Sequence, residues 1–202
     1  GEVATQADGS VIVRYGDTVI LSTAVCGDPK GGDFLPMTVD YREKTYSVGK
    51  FPGGFFKRES RPSNKEILTM RMTDRPMRPL FPKGYTNEVQ VMSVVLSADK
   101  ETDPDVLSMV GASAAVSISG MPFNGPTGSV RVGLIDDEFV INPKNSELVN
   151  SSINLVVSGT EDAVMMVESS GKEVSEDKFV DAIMFGFEEI KKIVRMQKEL
   201  VA

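Results

Sequence analysis

Arg71, Arg75 and Arg78 recur at i, i+4 and i+7, so a helix carrying them sets three guanidinium groups along one stripe. Three such charges repel one another unless an anion faces them. RNA phosphate, free phosphate or the carboxylates of a partner domain would each serve. Asp74 lies three residues from Arg71 and four from Arg78 and could pin either; a pair with Arg71 would make that residue structural. The plain alternative is a solvated basic helix face. A second group is Phe55–Phe56–Lys57–Arg58, which follows Pro52–Gly53–Gly54. Adjacent rings in a Gly-rich segment are poor core formers, whereas rings beside cations suit single-stranded nucleic acid, with bases on the rings and phosphates on Lys and Arg. The competing reading is a loop clamped to the body by one of the rings.

Other chemistries are excluded or bland. The 202 residues contain no histidine, which removes His-based triads, proton shuttles and most zinc sites. There is no Gly-x-x-x-x-Gly-Lys phosphate loop. The one cysteine, Cys26, follows the apolar run Val19–Val25 and reads as a buried structural thiol, in keeping with a cytoplasmic location. Asn124–Gly125–Pro126 and Asp136–Asp137 read as turns. The net charge of −7 is strongly segregated: from Arg42 to Lys83, 11 Lys and Arg stand against 4 Asp and Glu, a local +7, which leaves 11 against 25 elsewhere. A basic surface on an acidic body points to a polyanionic partner. No apolar run approaches the roughly 18 residues of a membrane span. The chain starts at Gly1 and ends inside a helical pattern, and so reads as a piece of a longer protein.

The elements that must position these residues are legible. Val11, Val13 and Tyr15, then Val19–Val25, predict two strands. The stretch 27–63 is rich in Gly, Pro and Lys and reads as a long functional loop. Ser63–Asn64–Lys65–Glu66 is a capping box opening a helix that Pro76 and Pro79 should end. Glu88–Ser97 reads as a strand. Asp103 caps a helix with Pro104 in its first turn, and Gly111–Ala115 lets that helix pack closely. Ser129–Asn142 predicts a hairpin with Leu134 opposite Phe139 and Val132 opposite Ile141. Strands near Ile153–Ser158 and Ala163–Glu168 follow, with one of Met165 and Met166 in the core. Ser175 then begins a helical region marked by Phe179, Ile183, Phe187, Ile190 and Val194, which Gly186 would split. The class is α+β, with mixed sheets packed against helices.

Four strings carry a family resemblance: ATQADGSVIVRYGDTVILSTAVC near the start, FFKRESRPSNKEILTMRMTDRPMRPLFP (Phe55–Pro82), PDVLSMVGASAAVSISGMPFNGPTGSVRVG, and VSGTEDAVMMVES. In order and without large gaps, they resemble the first core domain of bacterial polynucleotide phosphorylases. The resemblance implies a single ribonuclease-PH-like domain over 1–202, with helices in 175–202 leading towards a helical linker. It implies a 3′-to-5′ phosphorolytic exoribonuclease acting in RNA degradation, with inorganic phosphate as co-substrate and Mg²⁺ in the full-length enzyme. The implied partners are single-stranded RNA, the protein's own second core domain, sister protomers of a homotrimeric ring, and components of RNA-degradation complexes.

By match, Phe55, Phe56, Lys57 and Arg58 would grip RNA at a channel constriction, with Lys57 in place of the commoner arginine. Arg71, Arg75 and Arg78 would face the active site of the second core domain. The catalytic half of the family carries a serine-rich phosphate loop where this chain has Asp103–Pro104–Asp105, and two metal-holding aspartates where it has Leu148 and Asn154. The implication is a half with no catalytic or metal residues of its own. The alternative is a non-catalytic RNA-threading subunit of an exosome-like ring.

Overall fold

Runs rich in β-branched residues form β1 (Gly9–Tyr15) and β2 (Thr18–Pro29), antiparallel with Val13 opposite Ile20. In the computed structural model, which describes residues 3–202, β2 also pairs antiparallel with β4 (Asn87–Ser97). Gly1, on which the reading of a trimmed start rests, lies outside the described residues. The segment 27–63 is not one long loop. It holds β3 (Met37–Glu43), which runs parallel to β4 and completes a sheet ordered β1-β2-β4-β3, then a short 3-10 turn at Thr45–Val48. Met37 and Tyr41 point into the core between Thr38, Asp40 and Arg42. That alternation is hidden at sequence level by its charges and by its short length.

The capping box forms: the Ser63 hydroxyl accepts from the Glu66 amide at 3.2 Å and Glu66 accepts from the Ser63 amide at 2.6 Å. It opens α1 (Asn64–Met77). The helix ends between Pro76 and Pro79, where those prolines place its end. Pro76 sits in the last turn, where one i→i−4 bond is forgone, and the chain closes through a 3-10 turn at Arg78–Leu80 that contains Pro79. Helix α2 (Pro104–Ile118) is capped by Asp103 as expected. A Cβ on Gly111 would come within 2.5 Å of the Ser22 hydroxyl, so the small residues do let α2 lie directly on the first sheet.

The second sheet is antiparallel throughout, ordered β6-β5-β7-β8, from β5 (Gly128–Ile135), β6 (Glu138–Ile141), β7 (Ile153–Gly159) and β8 (Val164–Gly171). A short helix, α3 (Asn145–Leu148), joins β6 to β7. The β5–β6 register is the expected one, with Leu134 opposite Phe139 and Val132 opposite Ile141. Asp136 and Asp137 turn at φ of 48° and 65°, and Met166 is the buried one of its pair.

Gly186 does not split the C-terminal helix. Ser175 caps one 26-residue α4 (Glu176–Val201), and a Cβ on Gly186 would meet Val157 at 2.6 Å and Val132 at 2.9 Å. The glycine is there for helix-on-sheet contact. Phe187, Ile190 and Val194 pack on Val130, Val132, Leu155 and Val157, with Phe179 and Ile183 at the margin. The layers therefore run first sheet, α1 with α2, second sheet, α4. Val106 and Met109 of α2 meet Val156 and Met166 across the seam. Cys26 is half-buried, not fully buried, because it lies at the fraying end of β2; its sulfur is 3.2 Å from the Tyr85 hydroxyl.

Candidate nucleic-acid interface

The aromatic segment stands off the body on a tied base. After the Thr45–Val48 turn, the Lys50 amide donates to the Thr45 carbonyl at 3.1 Å. On the returning side, Glu59 accepts from the Thr45 amide at 2.9 Å and its hydroxyl at 2.8 Å, which holds the Glu59 carboxyl below its ordinary range. Between these ties, Phe55 is 94% and Phe56 76% exposed, with centroids 5.5 Å apart in an edge-to-face pair. The loop is not clamped to the body by either ring. Lys57, at φ 51°, and Arg58 are exposed beside them. Rings facing water next to cations meet the physical requirement for stacking unpaired bases while neutralising phosphate.

The arginine stripe forms on α1, but its members differ. Arg78 is a structural clamp. It donates to both Asp74 carboxylate oxygens, at 2.9 and 2.7 Å, and to the carbonyls of Leu35 and Met37, at 2.8 and 3.0 Å. Asp74 thus pins Arg78 and not Arg71, since four residues bring the side chains onto one helix edge and the β3 approach supplies two more acceptors. Asp74 holds the Arg78 guanidinium above its ordinary value.

Arg71 is exposed and makes no ion pair among the described residues. Arg75 pairs with Glu168 of β8 at 2.9 Å, with the two side chains 51% and 56% exposed. A pair so open to water is worth under about 1 kcal/mol and yields easily to a stronger anion. Both residues edge a cleft of about 460 Å³ against Met37, Thr38 and Val39.

A third cluster lies where α2 begins. A helix N-terminus is a natural anion site because its amides are unpaired. Here Pro104 removes one amide, Asp103 accepts from the Asp105 amide at 3.3 Å, and the Asp105 carboxylate accepts from the Val106 amide at 2.6 Å. Lys65 further engages Asp103 at 3.0 Å and Glu43 at 2.9 Å. From β5, Arg131 reaches Asp105 with one guanidinium nitrogen and Asn154 of β7 with the other. Both members of the Arg131–Asp105 pair are almost fully enclosed. Burial pushes the Asp105 carboxyl up to about 6, with Arg131 pulling against it and Asp103 adding to it. The helix start is filled by the protein's own acids, and a fixed cation joins it to β7.

The sequence profile of the 3′ exoribonuclease family, domain 1, matches residues 1–122, and that of the same family's domain 2 matches residues 125–189. The chain belongs to the 3′ exoribonuclease family. The two matched segments coincide with the two sheets, and the break between them falls after α2. Among curated relatives, the polyribonucleotide nucleotidyltransferase of Thermomicrobium roseum is 56% identical over 204 residues, covering 100% of this chain and 26% of that protein. The Bacillus subtilis protein of the same name is 53% identical over 203 residues, covering 100% and 29%. This chain thus spans between a quarter and a third of the length of these relatives. The crystal structure of rice (Oryza sativa) Rrp46 superposes with a TM-score of 0.80 over 98% of this chain and 91% of that one, at 13% identity. It supports the ribonuclease-PH-like fold.

Against this family background, Arg131 is the residue that sequence reasoning missed. Its signal is a lone cation in the apolar run Ser129–Ile135. Alternation turns it away from the α4 side, where Val130 and Val132 lie, and towards α2. Asp105 and Asn154 were singled out in the sequence for different reasons, and Arg131 brings them together. Leu148 lies at the end of α3 and takes no part in that cluster.

Proposed function

We propose that this chain is the RNA-gripping, ring-forming first core domain of a 3′-to-5′ phosphorolytic exoribonuclease, with no catalytic centre of its own. In the reaction of the whole protein, an oxygen of inorganic phosphate attacks the terminal phosphodiester phosphorus. The bond to the preceding 3′ oxygen breaks, which releases a nucleoside diphosphate and a strand one residue shorter. The observation that carries the RNA-handling half of this reading is the outward display of Phe55 and Phe56 beside Lys57 and Arg58 on a loop tied at its base. Arg71 and Arg75, free or weakly paired at the open cleft, supply cations for the strand or for the second core domain's site.

Magnesium is implied for the whole enzyme, and the residues here do not fit it. Mg²⁺ favours carboxylate oxygens, but the positions in question hold Leu148 and Asn154, and the Asn154 side-chain oxygen already accepts from Arg131. A cation seated there repels a second one. No step in this domain is therefore routed through a metal.

Changing both Phe55 and Phe56 to Ala in the full-length protein is expected to weaken binding of a long homopolymer by about 1–3 kcal/mol per lost stack. The rate on a very short oligomer should fall less. Equal losses on both substrates would place the rings at the reacting end and remove the constriction role.

A further inference from the structure

Phe51 has no part in the reading above, yet its ring is 93% exposed, as open as that of Phe55. Single exposed apolar side chains are common and need no explanation. Three exposed phenylalanines fall within six residues of one basic loop, and exposed apolar groups gathered on one segment mark contact sites. Phe51 also differs from the other two in its footing. It directly follows Lys50, whose amide is bonded to the Thr45 carbonyl, and Gly49, whose amide donates to Tyr46 at 2.9 Å. The Ala98 amide in turn fixes the turn to the sheet through the Ser47 carbonyl at 3.0 Å. Phe51 thus stands on the rigid foot of the loop, while Phe55 and Phe56 lie beyond Pro52–Gly53–Gly54. A ring whose backbone is already fixed loses little freedom on binding. Four peptide units separate it from Phe55 by at most about 14 Å.

We propose that Phe51 is a further base-stacking platform, lengthening the grip of Phe55 and Phe56 on single-stranded RNA towards the body of the domain. This rests on the RNA-binding role of the loop. Tyr46 and Val48 are also exposed nearby, 54% and 49%, so a protein contact is the competing use of the same ring.

The test is the dissociation constant of the full-length protein for a long adenylate homopolymer, with assembly state measured on the same samples. The variants are Phe51→Leu, Phe51→Tyr and the Phe55→Ala/Phe56→Ala double change. Leucine keeps apolar bulk and loses the π-face; tyrosine keeps the face. The expected result is a loss of about fivefold or more for Phe51→Leu, the low end of one base stack. Phe51→Tyr should bind close to wild type, with assembly unchanged in both. Unchanged affinity in Phe51→Leu beside a weakened double variant overturns the role of Phe51 and leaves the loop's RNA role intact. Unchanged affinity in every variant overturns both. Loss of affinity in Phe51→Tyr as large as in Phe51→Leu, or a broken assembly in either, assigns Phe51 to a protein contact and overturns the proposal.

Discussion

Replacing Arg75 with Gln in the full-length protein should cut turnover at least tenfold, about 1.4 kcal/mol in the barrier, while leaving the thermal midpoint almost unchanged. Gln is nearly as good a helix former as Arg, and the Arg75–Glu168 pair lost from the fold is half exposed to water and contributes little. What is lost is a cation at the open cleft. Arg71→Gln should behave in the same way, because Arg71 is exposed with no ion pair among the described residues.

Arg78→Gln is the internal control. It removes bonds to both oxygens of Asp74 and to two carbonyls at the start of β3. It should therefore lower stability by about 2–3 kcal/mol, the scale of charge-assisted bonds partly open to solvent. Phosphorolysis rate, thermal midpoint and assembly state on the same preparations separate these outcomes. Normal turnover in both Arg71→Gln and Arg75→Gln would make the stripe a solvated face, and lost turnover with a changed assembly state would make it an interface.

The second large effect is on stability. Arg131→Ala should cost about 3–5 kcal/mol, since it strands the buried Asp105 carboxylate without its partner. Asp105→Ala should cost a similar amount by stranding Arg131. The double change Asp105→Leu with Arg131→Met removes both charges together and is expected to recover most of that loss, because a buried pair stabilises little relative to apolar residues of similar volume. Denaturant midpoints of the four proteins decide it. A single change costing under about 0.5 kcal/mol would mean that water reaches the pair and that it does not join α2 to the second sheet.

Local signals are legible in the sequence: the Ser63 box, the Asp103 cap and the hairpin register each depend on residues within a few positions of one another. Signals that depend on partners distant in the chain are not. The sequence leaves the Asp74 pin open to Arg71 or Arg78, because the acceptors that single out Arg78, Leu35 and Met37, lie some 40 residues away. β3 reads as loop because a parallel strand draws its bonds from a distant partner, here β4. Gly186 read as a break because only the sheet beneath, through Val132 and Val157, explains it. The Arg131 bridge is hidden for the same reason: Asp105 and Asn154 lie on either side of it in the chain and meet it only when the second sheet packs on α2. The aromatic loop was legible because an exposed site needs no distant partner.

If this domain handles RNA without a catalytic centre of its own, the purified 202-residue chain will show it. It should be incubated with a homopolymer, inorganic phosphate and Mg²⁺, with the full-length protein as positive control and binding to the same strand measured alongside. The chain should bind weakly and release no nucleoside diphosphate in a phosphate-dependent way. Robust magnesium-dependent release by the chain alone would contradict this.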